Sequence, residues 1–304
     1  MNERSVGVVF VNHESADKVK PRAKRLEADG FVVVVVDNSG DFPSVRGVET
    51  LDPGVNVGFG VGCNIGVAAL PPEVEVVCLH NPDVDATPET LRALARRIDS
   101  RVVALAPAVE LPGGLRRHGF HYPSVVREAF VGRRSVQLEL SGNNGPRTSR
   151  SSRVRSSRGH RFGSAALLAL DRAAFGSIGG FDPLFFLYAE DLDLWHRLRL
   201  MGADVAFAPD LVVRHEGGAG SRLSSGSREV LRWLGVECFA SRHQRTGWRP
   251  YRAVHRGLLR RARADDELTD MVEAGFRRWT GPDELLGAVR RLFEARSLRP
   301  APSR

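Results

Sequence analysis

Val6-Gly7-Val8-Val9-Phe10-Val11-Asn12-His13 is an apolar run that stops on two polar residues, and Phe31-Val32-Val33-Val34-Val35-Val36-Asp37-Asn38 repeats the pattern. A strand wetted on one face alternates apolar and polar residues, whereas one covered on both faces is apolar throughout. Between the two runs, Ser15 to Asp29 reads as a helix, with Pro21 near a kink or its start. Strand, helix and strand, both strands buried on two faces, imply parallel strands joined by crossover helices. The pattern continues with a short strand at Val48 to Leu51, a short helix at Asn64 to Leu70 and a strand at Val74 to Leu79. Thr87-Pro88-Glu89 carries an N-cap, a proline at the first helical position and an acid in the first turn, so a helix is predicted to about Ile98. A strand at Val102 to Ala106 follows. The expected fold class is α/β, a mostly parallel central sheet flanked by helices.

From Gly132 to Arg161 the periodicity dissolves. Residues 147–161 hold six Arg, five Ser and no acid, which reads as a mobile basic loop over about 140–161. An apolar strand at Gly163 to Leu170, a helix at Arg172 to Ser177 and a helix from Glu190 to Met201 come next. Val205 to Ala208 and Val212 to Val213 read as two short strands. After His215 a Gly/Ser-rich loop runs to Ser227, and helices fill the remainder. The expected division is a catalytic-type domain over 1–218 and a loop with a basic helical C-terminal region over 219–304.

A chain of 304 residues with 42% hydrophobic content can build one large domain with an appendage. The formal charge is +8, and only three of the 44 basic residues are Lys. That balance suits nucleic acid, an anionic membrane surface or a phosphorylated substrate. Cys63, Cys78 and Cys238 are odd in number with no paired spacing, which argues against a disulfide framework or thiolate metal site and fits a reducing compartment. No signal peptide is expected, and no apolar run approaches the roughly 18–20 residues that span a bilayer.

The strongest chemical signal is Phe185-Phe186-Leu187-Tyr188-Ala189-Glu190-Asp191-Leu192-Asp193-Leu194, which follows the turn Gly179-Gly180-Phe181-Asp182. Three carboxylates in four residues repel one another, and crowding with burial lifts a carboxyl pKa toward that of a working general base. The plainer reading is an acidic first helical turn. Successive strands end in Asn12-His13, Asp37-Asn38 and Asn81-Pro82-Asp83, at the edge where open parallel sheets bind ligands; Asn and Asp are also ordinary turn formers. Asn56-Val57-Gly58-Phe59-Gly60-Val61-Gly62-Cys63-Asn64-Ile65-Gly66 leads into a helix, and its glycines would let backbone N–H groups approach a diphosphate. It matches neither a dinucleotide fingerprint nor a Walker loop. Asp83 can ligate Mg²⁺ or Mn²⁺ with substrate phosphates filling the remaining sites, and an imidazole from His215 would favour Mn²⁺.

Taken in order, these motifs resemble family 2 of the inverting glycosyltransferases, with the GT-A fold, most nearly its rhamnosyltransferase-like branch. The likeness spans about residues 5–218. It rests on the strand ending at Asn12, Asp37-Asn38-Ser39, the 56–66 segment, Asn81-Pro82-Asp83, Gly163-Ser164-Ala165, the Gly179–Asp182 turn, the 186–193 segment and His215. The resemblance implies that Asn12, Asp37, Asn38, Asn56, Gly58, Phe59, Asn64 and Asn81 bind the nucleotide-sugar. Asp83 and His215 would hold the metal. Asp191 would be the general base supported by Glu190, with Asp193 and Tyr188 on the acceptor side. The implied activity is that of a hexosyltransferase, with a UDP- or dTDP-linked donor, Mg²⁺ or Mn²⁺, and a glycan or lipid-linked acceptor in cell-wall, polysaccharide or glycolipid synthesis. Three departures stand out: Asp37-Asn38-Ser39-Gly40-Asp41 is one residue short of the usual motif, a single Asp stands in the metal motif, and Pro183 replaces a frequent Glu.

Residues 222–263 carry eleven Arg against Glu229 and Glu237, with Trp233, Phe239, Trp248 and Tyr251 interleaved. This pattern predicts peripheral contact with an anionic membrane, and hence a cytoplasmic protein at the inner face of the cell membrane. With no recognised motif for it, nucleic acid is not expected as a partner. The competing reading of the whole chain is a catalytically inactive glycosyltransferase-like adaptor that binds a membrane or a partner.

Overall fold

A computed structural model describes residues 5–112, 114–117, 119–131, 155–156, 161–216, 223–259 and 267–297. The elements of the first half are β1 (Val6–Asn12), α1 (Ala16–Ala28), β2 (Val32–Asp37), β3 (Val48–Leu51), α2 (Phe59–Ala69), β4 (Val76–His80), β5 (Val84–Asp85), α3 (Pro88–Ala95), β6 (Val102–Leu111), β7 (Leu115–Arg117), β8 (Phe120–His121) and α4 (Val125–Val131). The second half has β9 (Arg155–Ser156), β10 (Arg161–Phe162), β11 (Leu167–Asp171), α5 (Arg172–Ser177), α6 (Glu190–Leu200), β12 (Asp204–His215), α7 (Ser225–His243), α8 (Arg249–Leu258), α9 (Glu267–Arg278) and α10 (Pro282–Ser297). Most of the basic loop foreseen over 140–161 lies outside the described residues.

The main sheet runs β3-β2-β1-β4-β11-β6-β12-β5, with β7 on β6 and β9 on β12. Strands β3, β2, β1, β4, β6 and β12 point one way; β11 opposes its neighbours β4 and β6, and β5 opposes β12. The apolar runs explain themselves here. Val8 and Phe10 of β1 enter one core with α1 and α3, while Val9 and Val11 enter the opposite core with α2, α5 and α6. Because side chains alternate across a strand, two-sided burial needs an apolar residue at every position.

Two segments differ from the sequence reading. Helix α2 starts at Phe59, five residues before Asn64, so the glycine-rich segment is mostly helix. Its glycines face the sheet: a Cβ on Gly62 would strike Val11, and one on Gly66 would strike Val9. They set the close approach of α2 to β1 rather than a phosphate-cradling loop. Gly58, with φ 83°, keeps the left-handed conformation ahead of the helix. The two short strands around Pro209-Asp210 are one strand, β12, with an irregular register between Ala208 and Val212. A proline is tolerated at such a bulge.

Helices α7, α9 and α10 enclose a third core that includes Phe185, Phe186 and Leu192. The C-terminal helices therefore pack directly on the segment that carries the clustered acids. No helix among the described residues is long and apolar enough to cross a membrane.

Candidate active site

The acid-bearing turn is built by long-range contacts. Asn64 clamps the Phe181 backbone, its Nδ2 donating to the carbonyl at 2.9 Å and its Oδ1 accepting the N–H at 2.9 Å. Its amide is thereby occupied in joining α2 to the Gly-Gly turn. Tyr188 and Ala189 both take left-handed backbone, φ 69° and 67°. Such residues cost roughly 1–3 kcal/mol each and persist where surroundings enforce them. The enforcing element is α7: a Cβ on Gly235 would collide with Ala189 Cβ and the Tyr188 carbonyl. Gly235→Val is therefore expected to shift the turn. The expected result is about 100-fold lower kcat, since small misplacement of reacting groups has that scale, with a stability loss of about 1–3 kcal/mol. Steady-state kinetics beside a melting curve would check both.

From that turn, Glu190 and Asp191 enter α6 at its first residues. Asp191 Oδ1 accepts the Leu192 N–H at 2.8 Å and Oδ2 accepts the Ala165 N–H at 3.3 Å. Glu190 is 7% exposed, and its Oε2 has no hydrogen-bond partner among the described residues. Burial pushes both carboxyls up, Glu190 further because the Asp191 charge adds to it. The two carboxyls titrate together, each staying protonated to a higher pH than an isolated carboxyl, and Asp191 is the member whose ionised form has two N–H donors.

A cavity of about 430 Å³ opens in front of them. Phe59, Asn81, Tyr188, Glu190, Asp191 and His215 all line it, as the sequence reading requires of a common site. Burial pushes the Tyr188 phenol up to about 12. His121, Glu128 and Arg232 also line the cavity and were not singled out from the sequence. Arg232 was visible only as one of many arginines, and the segment around His121 and Glu128 carries no motif.

Asp193 does not line this cavity. It is 1% exposed and binds Arg197 Nε at 2.6 Å and His243 Nε2 at 2.7 Å, tying α6 to α7. The acceptor-side role expected for it gives way to a structural one.

The nucleotide-side candidates gather at the carboxyl ends of β1 and β2. Asn12 pairs in register with Asp37. Its Nδ2 reaches Asp37 Oδ1 at 2.8 Å, Ser39 Oγ at 3.2 Å and Asp41 Oδ1 at 2.7 Å. The shortened motif thus still brings Asp41 into the network. Burial pushes the Asp37 carboxyl up, but the Phe42 and Ser39 N–H groups and Asn12 outweigh it and hold the pKa below the usual range. Asn56 Oδ1 accepts the Gly58 N–H at 3.0 Å, and Asn38 Nδ2 donates to the Gly58 carbonyl at 3.1 Å. The buried Oδ1 atoms of Asn38 and Asn81 lack partners among the described residues. Buried polar atoms are normally satisfied, so these two mark places for a ligand or water.

Asp83 Oδ1 lies 3.4 Å from His215 Nε2 where β12 meets β5. One carboxylate and one imidazole suit a divalent cation whose other positions are filled by phosphate and water. No group of three or more His, Cys, Asp or Glu able to hold a metal occurs among the described residues.

Three of the four aromatic residues of 222–263 are interior, whereas Trp248 is half-buried. Trp233, Phe239 and Tyr251 are buried, and Arg252 is buried with them against Glu237. Trp233, Phe239 and Tyr251 thus form the inside of the helical layer.

No family model matches the chain. The N-acetylglucosaminyl-diphospho-decaprenol L-rhamnosyltransferase of Mycobacterium tuberculosis is 30% identical over 237 residues, 72% of this chain and 73% of that protein. Rhamnosyltransferase WbbL of Escherichia coli K12 is 24% identical over 220 residues, 67% of this chain and 80% of the relative. Among solved structures, GalNAc-T7 with UDP, GalNAc and Mn²⁺ aligns at a TM-score of 0.49 and 14% identity, covering 91% of this chain and 54% of its own, so this chain spans about half of it.

Proposed function

This chain belongs to the rhamnosyltransferase-like glycosyltransferases, and on that premise we propose that it transfers rhamnose from a nucleoside-diphosphate donor to a hydroxyl of a diphosphate-lipid-linked glycan. The setting is the cytoplasmic face of the membrane during cell-wall or polysaccharide synthesis. The observation that supports this reading most is the Glu190–Asp191 pair: two adjacent buried carboxyls, Asp191 held by the Ala165 and Leu192 N–H groups, at the wall of a sugar-sized cavity.

Asp191 takes the proton of the acceptor hydroxyl. The oxygen attacks the anomeric carbon, the bond from that carbon to the diphosphate breaks with its electron pair leaving on phosphate, and the sugar inverts in one displacement. Glu190, pushed toward its neutral form, adds little competing charge beside the base. Asp37, Asn38 and Asn56 bound the nucleotide side, with the unpartnered Asn38 Oδ1 offered to an N–H of the base. A Mg²⁺ or Mn²⁺ held by Asp83 and His215 would offset charge on the leaving diphosphate.

The experiment is a thermal-shift series with UDP, dTDP and GDP, with and without Mn²⁺ or Mg²⁺, followed by analysis of the anomer formed. A ligand that binds only the folded protein raises the Tm. One nucleotide should do so with metal dependence, and Asp83→Asn should remove the metal-dependent part of the shift, about 10-fold in apparent affinity. If no nucleoside diphosphate raises the Tm of the native protein, the proposal fails.

A further inference from the structure

Helix α7 reaches the catalytic cavity with Arg232 and Val236, beside Tyr188. Arg232 lines the cavity, and Arg228, four residues earlier, shares its helical face. Both guanidinium groups bear on the Tyr188 phenol, which Glu190 and Asp83 also influence. Other arginines of this region are committed: Arg197 to Asp193, Arg242 to Asp182 and Arg252 to Glu237. Arg232 makes a long contact to Glu229, at 3.8 Å, and keeps 26% of its side chain exposed.

Around Arg232 the carboxylates are Asp191 on the cavity wall and Glu229 on α7 itself, so an anion seat here rests on the two guanidinium groups and not on net charge. Burial and the neighbouring Asp191 charge push the Glu190 carboxyl toward its neutral form. Glu128, on the cavity wall, faces the His255 imidazole, Oε2 to Nε2 3.7 Å. Val109, Leu111 and Val236 give the same cavity an apolar stretch. Guanidinium forks match phosphate oxygens in pairs, and two of them a turn apart suit a diphosphate better than a single phosphate.

We infer that Arg228 and Arg232 seat the diphosphate of the lipid-linked acceptor, with the lipid leaving over the apolar wall. This rests on the function proposed above. The donor's own diphosphate belongs beside Asp83 and the carboxyl ends of β1 and β2, whereas these arginines come from the C-terminal helical layer.

Calorimetry with geranyl diphosphate as the probe tests it, using the full chain and the double variant Arg228→Gln/Arg232→Gln. The variant should bind geranyl diphosphate roughly 30-fold more weakly, the scale of losing charge-assisted hydrogen bonds, while its affinity for UDP or dTDP with Mn²⁺ holds. In turnover, the kcat/KM preference for a diphosphate-linked acceptor over the matching octyl glycoside should collapse toward one. Unchanged or undetectable geranyl diphosphate binding by the native protein and variant alike overturns the inference. So does a parallel loss of nucleotide affinity, which would put the arginines on the donor's diphosphate. Arginine-dependent geranyl diphosphate binding by a native protein that transfers sugar to neither acceptor would instead sink the proposed function and leave the seat standing.

Discussion

Asp191→Asn should lower kcat/KM for sugar transfer by about 10³-fold while nucleotide affinity and melting temperature stay near native values. Removing a general base typically costs 10²–10⁴-fold. The amide is isosteric and can keep its oxygen on the Leu192 N–H at the cost of the longer 3.3 Å bond from Ala165, a small loss beside the catalytic effect. The distinguishing readout is the pH profile. Burial raises the Asp191 carboxyl, so the native rate should fall on acidification through a midpoint above the ordinary carboxylate range. The variant has no such group, and its residual rate should lose that limb. A native-like rate in the variant would remove Asp191 from the reaction. Glu190→Gln should do far less harm, because burial and the Asp191 charge already favour the neutral form of Glu190. The same pair costs stability: both raised carboxyls favour the fold at low pH and lose that contribution as pH climbs through their folded-state values.

What the sequence revealed was whatever local pattern dictates. The valine-rich runs predicted β1 and β2 because two-sided burial leaves no freedom at any position. The Thr87-Pro88 start of α3 was readable because the cap is a short-range bond, Thr87 Oγ1 accepting the Thr90 N–H at 3.2 Å. What escaped depends on partners far away in the chain. Nothing near Gly62 or Gly66 announces that Val11 and Val9 will press on them. Asp193 was grouped with Asp191 by proximity, yet two residues on a helix turn the side chain about 200° away, toward His243. Arg and Trp counts over 222–263 suggested a surface, whereas α7 is buried on nearly every side from Val230 to Ala240. A helix apolar around its circumference belongs in a core. The buried stretch of α7 matters most, because it supplies both the support under Tyr188–Ala189 and the cavity wall at Arg232.

Glu237→Ala should therefore be the most destabilising single change in the C-terminal layer, by about 3–5 kcal/mol. Glu237, Arg252 and His255 are all fully buried. Glu237 Oε2 takes Arg252 Nε at 2.6 Å, Oε1 takes His255 Nδ1 at 2.8 Å, and Arg252 Nη1 reaches the Thr280 carbonyl at 2.9 Å. Phe276 and Trp248 flank the guanidinium at 4.1 and 4.7 Å, and Trp233 stacks on His255 at 5.4 Å. Burial alone would push His255 down, but Glu128 and Glu237 outweigh it and raise its pKa. Its contribution to stability is accordingly present below the ordinary histidine range and lost as pH rises through the raised value. Without Glu237 the guanidinium has no carboxylate in a site closed to water, and that stranded charge is the source of the cost. A second substitution, Arg252→Met, should recover part of the loss, since an apolar pair can replace a buried ion pair of similar volume. Denaturation midpoints of the single and double variants measure this directly, and a double variant weaker than Glu237→Ala would refute the stranded-charge account. Because Phe185, Phe186 and Leu192 share a core with α7, α9 and α10, the loss should appear as an earlier single transition of the whole chain. Loosening that layer also removes the support for the left-handed turn, so kcat should fall in Glu237→Ala at temperatures below its melting onset, with no residue of the cavity altered.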